Sequence, residues 1–166
     1  MRSLAITAFL VIIALAPPQA QTQYVGLRHP PLPSGIEVVS ASMMIPYDTI
    51  HAIALVNGSP TTMVWLERAV CSSKKCTRDF IFEVRAVLVP PPLNVGQSLM
   101  LETCALGSLD HGGDSRLVAI ATFVGDSLVT TRIDRAWRVD LTRERFEPIP
   151  AKGVICFKES GPEEED

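Results

Sequence analysis

From Ile36 to Lys158 the chain repeats a single pattern: short runs rich in Val, Ile, Leu, Phe and Thr, each stopped by Gly, Pro or an Asn- or Asp-containing turn. No run keeps a helical period beyond about three turns, whereas several alternate apolar and polar residues as strands do. About seven strands, spaced by roughly 8–15 residues, predict an all-β domain. The 166-residue length leaves room for one such domain, which we place at residues 36–160.

The runs can be read one by one. Ile36–Met44 (IEVVSASMM) is the first expected strand, and Thr61–Val70 (TTMVWLERAV) follows the Asn57-Gly58-Ser59-Pro60 turn. Residues 48–56 have two readings. The preferred one is a strand over Ile50–Val56; the other is a short helix capped by Asp48 and ended by Asn57-Gly58. In Phe80–Val89 strict alternation would put Phe80, Phe82, Val84, Ala86 and Leu88 on one face. Gln97–Ala105 is the next strand, and Arg116–Val124 (RLVAIATFV) is apolar on both faces, as a covered central strand requires. Leu128–Leu141 is long enough for one bent strand or for two pieces, and alternation places Ile133, Arg135, Trp137, Val139 and Leu141 together and leaves Arg132, Asp134, Ala136, Arg138 and Asp140 for water. Gly153–Lys158 closes the series. The order from Phe80 onward is compatible with a small, disulfide-braced Greek-key barrel of the OB type, or with a sandwich.

The ends of the chain differ from this body. Residues 1–20 (MRSLAITAFLVIIALAPPQA) join a positive charge at Arg2 to an apolar run and a small-residue stretch, the layout of a secretory signal peptide cut after Ala20. The apolar run is shorter than the ~20 residues a membrane helix needs, so no stable anchor is expected after cleavage. This points to the periplasm or the cell exterior. Residues 21–35 (QTQYVGLRHPPLPSG) hold three Pro and two Gly, and read as an extended arm without a continuous ladder. Residues 161–166 form an acidic tail, expected to be flexible. Without Arg2 and the four terminal acids, residues 21–162 hold 14 basic and 14 acidic side chains, so the body is formally neutral.

Export bears on the four cysteines, Cys71, Cys76, Cys104 and Cys156, which are expected to form disulfides. Three pairings are possible. The polar CSSKKC stretch between two strands favours Cys71–Cys76, leaving Cys104–Cys156. Zinc sites prefer tighter Cys pairs with helically spaced His, so no metal site is expected, and nothing in the chain calls for a cofactor.

Chemistry-bearing groups are sparse. The loop Asp110-His111-Gly112-Gly113-Asp114 gathers an imidazole and two carboxylates, the best candidate for acid–base work, although Asp and Gly also serve ordinary turns. The arginines among residues 132–147 (Arg132, Arg135, Arg138, Arg143 and Arg145) are nearly balanced by Asp134, Asp140, Glu144 and Glu147, which argues against nucleic acid. Trp65 and Trp137 lie on strands and read as core. His51 sits in an apolar run and reads as packed. The preferred expectation is a non-enzymatic binding or inhibitory module that presents Lys74, Lys75, Arg78 and His111 to a partner protein. The alternatives are an exported hydrolase using Asp110, His111 and Asp114, or a structural component of the envelope.

Overall fold

The structure, a computed structural model, describes residues 23–44, 50–59, 61–70, 80–110 and 112–158. Among these residues the fold is all-β, with the strands β1 (Arg28–His29), β2 (Ile36–Met44), β3 (His51–Gly58), β4 (Thr61–Val70), β5 (Ile81–Leu88), β6 (Gln97–Leu101), β7 (Cys104–Leu106), β8 (Leu117–Thr122), β9 (Val129–Thr130), β10 (Ile133–Asp140), β11 (Arg145–Ile149) and β12 (Val154–Phe157). They form a curled five-stranded sheet in the order β1-β5-β4-β3-β2, a four-stranded sheet β11-β10-β8-β6 and a three-stranded sheet β7-β12-β9.

Three apolar layers hold these sheets together. Ile53, Val64 and Leu66 of the first sheet pack against Val118 and Val139 of the second. The opposite face of the second sheet sends Leu117, Ala119, Ala121 and Ala136 onto Val154 and the Cys104–Cys156 disulfide of the third. Strand β8 therefore feeds two cores from alternate residues, which is why its sequence is apolar throughout. The third layer lies on the outer face of the first sheet, where Trp65, Val84 and Val87 are covered by Tyr24, Leu27 and Leu32 of the proline-rich segment. Gly26 donates its N–H to the Val84 carbonyl and Leu27 accepts from the Val84 N–H, so the segment lies along β5 before its prolines end the pairing.

Residues 51–56 are strand and not helix. Strand β3 pairs along its length with both β2 and β4, and this two-sided ladder outweighs a single local capping signal. Both simple alternations also fail, each at a β-bulge. On β5, Leu66 faces Ala86 while Glu67 faces Val84, so Arg85 is an extra residue. Val84 and Val87 consequently share the outer core, and Ala86 and Leu88 face the inner one. On β10, Ile133 faces Ala121 while Arg135 faces Ile120, making Asp134 the extra residue. Ile133 thus joins Ala136 in the second core instead of joining Trp137, and Ala136, expected in water, is buried.

Where the chain changes sheets, one expected strand divides and the 128–141 run takes its two-piece form. The run 97–105 breaks at Glu102, whose φ of 57° turns the chain from β6 to β7. The run 128–141 breaks between β9, in the third sheet, and β10, in the second. Strand β11 (RFEPI) carries two charges and Pro148, which hide it in the sequence; the proline is tolerated because β11 is an edge strand that pairs, among the described residues, with β10 alone.

Candidate functional site

The expected signal peptide, the expected Cys71–Cys76 bridge, Lys74, Lys75, Arg78, His111 and the acidic tail all lie outside the described residues. Of the candidate catalytic loop, Asp110 is exposed and Asp114 is half-buried. Asp114 Oδ1 accepts the backbone N–H of Arg116 at 2.9 Å and its Nε at 3.1 Å, while Oδ2 accepts Arg116 Nη2 at 3.2 Å and Arg138 Nη2 at 3.1 Å. The Asp114 N–H donates to the Cys104 carbonyl at 2.7 Å. Burial pushes this carboxyl up, but the hydrogen bonds from Arg116 and the charges of Arg116 and Arg138 outweigh it and hold the pKa below the ordinary value. A carboxylate held in this way accepts protons poorly. Its evident work is to pin the Gly-rich loop beside the disulfide.

The described histidines are both buried against carboxylates. His29 Nε2 lies 2.9 Å from Glu67 Oε1 on the outer face of the first sheet, with its ring 5.9 Å from Trp65 and 6.1 Å from Phe82. His51 Nε2 lies 3.2 Å from Glu144 Oε1 between the two larger sheets. Glu144 stands in the β10–β11 turn at φ 49° and also accepts from Arg68 Nη1 at 3.0 Å and Arg85 Nε at 2.5 Å. Arg85 continues the chain to Glu83, which is bound in turn by Arg28 at 2.8 Å. Burial raises the Glu144 pKa, yet hydrogen bonds from Arg85 and His51, with the charges of Arg68 and Arg85, bring it below the ordinary value. The bulge at Arg85 turns this guanidinium toward Glu144, a link no alternation rule reveals. Among the described residues, no three His, Cys, Asp or Glu side chains gather as a metal cluster.

Three of the five arginines of the basic window make internal pairs. Arg143 reaches Asp140 and Glu147, Arg145 reaches Glu147, and Arg138 reaches Asp114. Trp65 is fully buried and Trp137 is half-buried against the inner core.

Glu144 and its arginines close one side of the space between the two larger sheets. Among the described residues the other side is open. There a slot of about 420 Å³ separates Ser40 of β2 and Leu55 of β3 from Leu99, Met100 and Leu101 of β6, with Glu102, Thr103 and Lys158 also on its wall. Strands β2 and β6 are both sheet edges, each paired on one side only among the described residues. Thr103 Oγ1 is buried there with no hydrogen-bond partner. The slot was not expected from the sequence, because it is made by two edges 60 residues apart. The available signal is the lack of charge in Val38–Met44 and Gln97–Leu101.

The chain matches no protein-family model, no curated protein and no solved structure.

Proposed function

We propose that this chain is an exported, non-enzymatic module that binds another protein. The observation that carries this reading is the open side between the two larger sheets, where two edge strands and a slot of mixed apolar and polar lining remain uncovered among the described residues while the opposite side is tied by Glu144. A rigid β-scaffold with one unfilled seam suits recognition better than chemistry. The Cys104–Cys156 disulfide is compatible with an oxidising compartment, and with the leader it supports the periplasm or the exterior. The loops holding Lys74, Lys75, Arg78 and His111 are the second proposed contact region.

Photo-crosslinking side chains placed one at a time at Ser40, Lys75 and His111 in the exported protein test the reading. The expected result is a discrete adduct with one other polypeptide that survives stringent washing and disappears when excess unlabelled protein competes. Absence of a competable adduct at all three positions overturns it.

A further inference from the structure

Resting on the protein-binding reading, we infer that the slot takes an extended, uncharged segment of the partner, which adds as a strand to the free edge of β2 and sends alternate side chains between β2 and β6. Four features of the molecule converge on this mode.

The first is how the edges are guarded. Exposed edges invite pairing with other chains, and proteins blunt them with charge and proline. Strand β1 carries Arg28 and runs into Pro30-Pro31, while β11 carries Arg145, Glu147 and Pro148. The two edges at the slot have no such guard. Strand β2 has one charge, Glu37, and then the uncharged residues Val38–Met44; β6 (QSLML) has none, and neither contains proline.

The second is regularity. The bulge at Val39 perturbs the start of β2, but Ser40–Met44 pair with Leu55–His51 without a break. Five consecutive residues extend about 17 Å, enough for a strand-long ladder with a ligand. Val39 and Met43 are 52% and 54% exposed, apolar surface that β2 keeps in water.

The third is charge. Of the eight lining residues only Glu102 and Lys158 are ionic, and their charges cancel, so a neutral segment matches the slot and a charged one loses hydration without gaining a partner. The same argument disqualifies the chain's own acidic end, Glu163–Asp166, as the occupant. The fourth is the make-up of the wall, where the exposed Ser40 gives an incoming segment a hydroxyl beside Leu55, Leu99, Met100 and Leu101.

The test uses the mature full chain and three synthetic ten-residue peptides: one of alternating Val and Thr, one with Lys at alternate Thr positions, and one with Pro at alternate positions. Amide hydrogen exchange locates binding and calorimetry measures it. The expected result is at least tenfold slower exchange within Ser40–Met44 with the neutral peptide, and at least tenfold weaker binding of the Lys and Pro peptides. Ser40→Lys and Met43→Lys, both at exposed positions, should each weaken the neutral peptide at least tenfold with an unchanged thermal midpoint. Unchanged affinity in both variants, or protection anywhere but β2, overturns the assignment. So does protection of β2 without peptide in a concentration-dependent dimer, which would make a second copy the occupant. If β2 stays unprotected while Lys75 or His111 crosslinks to a partner, the strand-addition mode falls and the protein-binding reading stands; if neither is seen, both fall.

Discussion

Glu144, in the turn between β10 and β11, accepts a hydrogen bond at 2.5 Å from Arg85, the bulged residue of β5 in the opposite sheet. One carboxylate thereby ties two sheets whose residues are 59 positions apart. Its side chain is 15% exposed and it serves three donors, so the bond is worth more than a surface ion pair. Glu144→Ala leaves the Arg85 guanidinium and His51 short of their acceptor and should lower stability by about 2 kcal/mol. Glu144→Gln keeps an acceptor oxygen and should lose less. Urea unfolding of both variants checks the order, and a double-mutant cycle with Arg85→Gln should give a coupling near 1 kcal/mol.

Acid should weaken the same contacts. The pKa values of Glu144, Glu83 and Asp114 are all lowered in the folded chain, Glu83 chiefly by the hydrogen bonds from Arg28 and Arg85. A carboxyl with a depressed folded pKa contributes stability that is fully present above its unfolded value and is lost as pH falls through the folded one. Stability should therefore change little from these groups at neutral pH and decline below the ordinary values of 4.5 and 3.8. Unfolding midpoints at pH 7, 5 and 3 test this, and the decline should be shallower in Glu144→Gln.

The Cys104–Cys156 bridge closes a separation of 52 residues and joins directly opposed positions of β7 and β12. Loop-closure entropy makes such a cross-link worth about 4 kcal/mol. Replacing both cysteines with Ala should cost about that amount, with some addition from the lost packing against Leu117 and Val154. Denaturant titration of the double variant measures it. An unchanged midpoint would contradict the role given to the bridge.

On the outer face of the first sheet, His29→Ala would leave the Glu67 carboxylate, only 4% exposed, without its imidazole. A loss of about 3 kcal/mol is expected, whereas Glu67→Gln, which keeps a hydrogen-bonding group, should lose less. Because Tyr24 and His29 both lie against Trp65, loosening of the arm can be read from tryptophan emission. In a Trp137→Phe background, His29→Ala should shift Trp65 emission to the red.

Much of the fold was legible residue by residue. The bounds of β2 and β4, the two-faced apolar character of β8 and the pairing of Cys104 with Cys156 follow from composition, turn signals and cysteine spacing. The alternations of β5 and β10 were legible only up to Arg85 and Asp134. A bulge is set by how two strands meet, and neither sequence declares it alone. The candidate site is less legible still, since in the sequence Asp114 stands out through its neighbour His111, while its partners Arg116 and Arg138 are visible only in the fold.

That the described body of this chain is all β is written in its residues, because side-chain branching, period-two alternation and Gly or Pro stops act over a few residues and require no distant partner. Which polar groups meet is settled by packing: His29 with Glu67, Glu144 with His51, Arg68 and Arg85, and the edges of β2 and β6 across an open slot. Those encounters depend on sheet curl, bulges and layer order. They are properties of how strands pack, and strands of the same local character admit many packings.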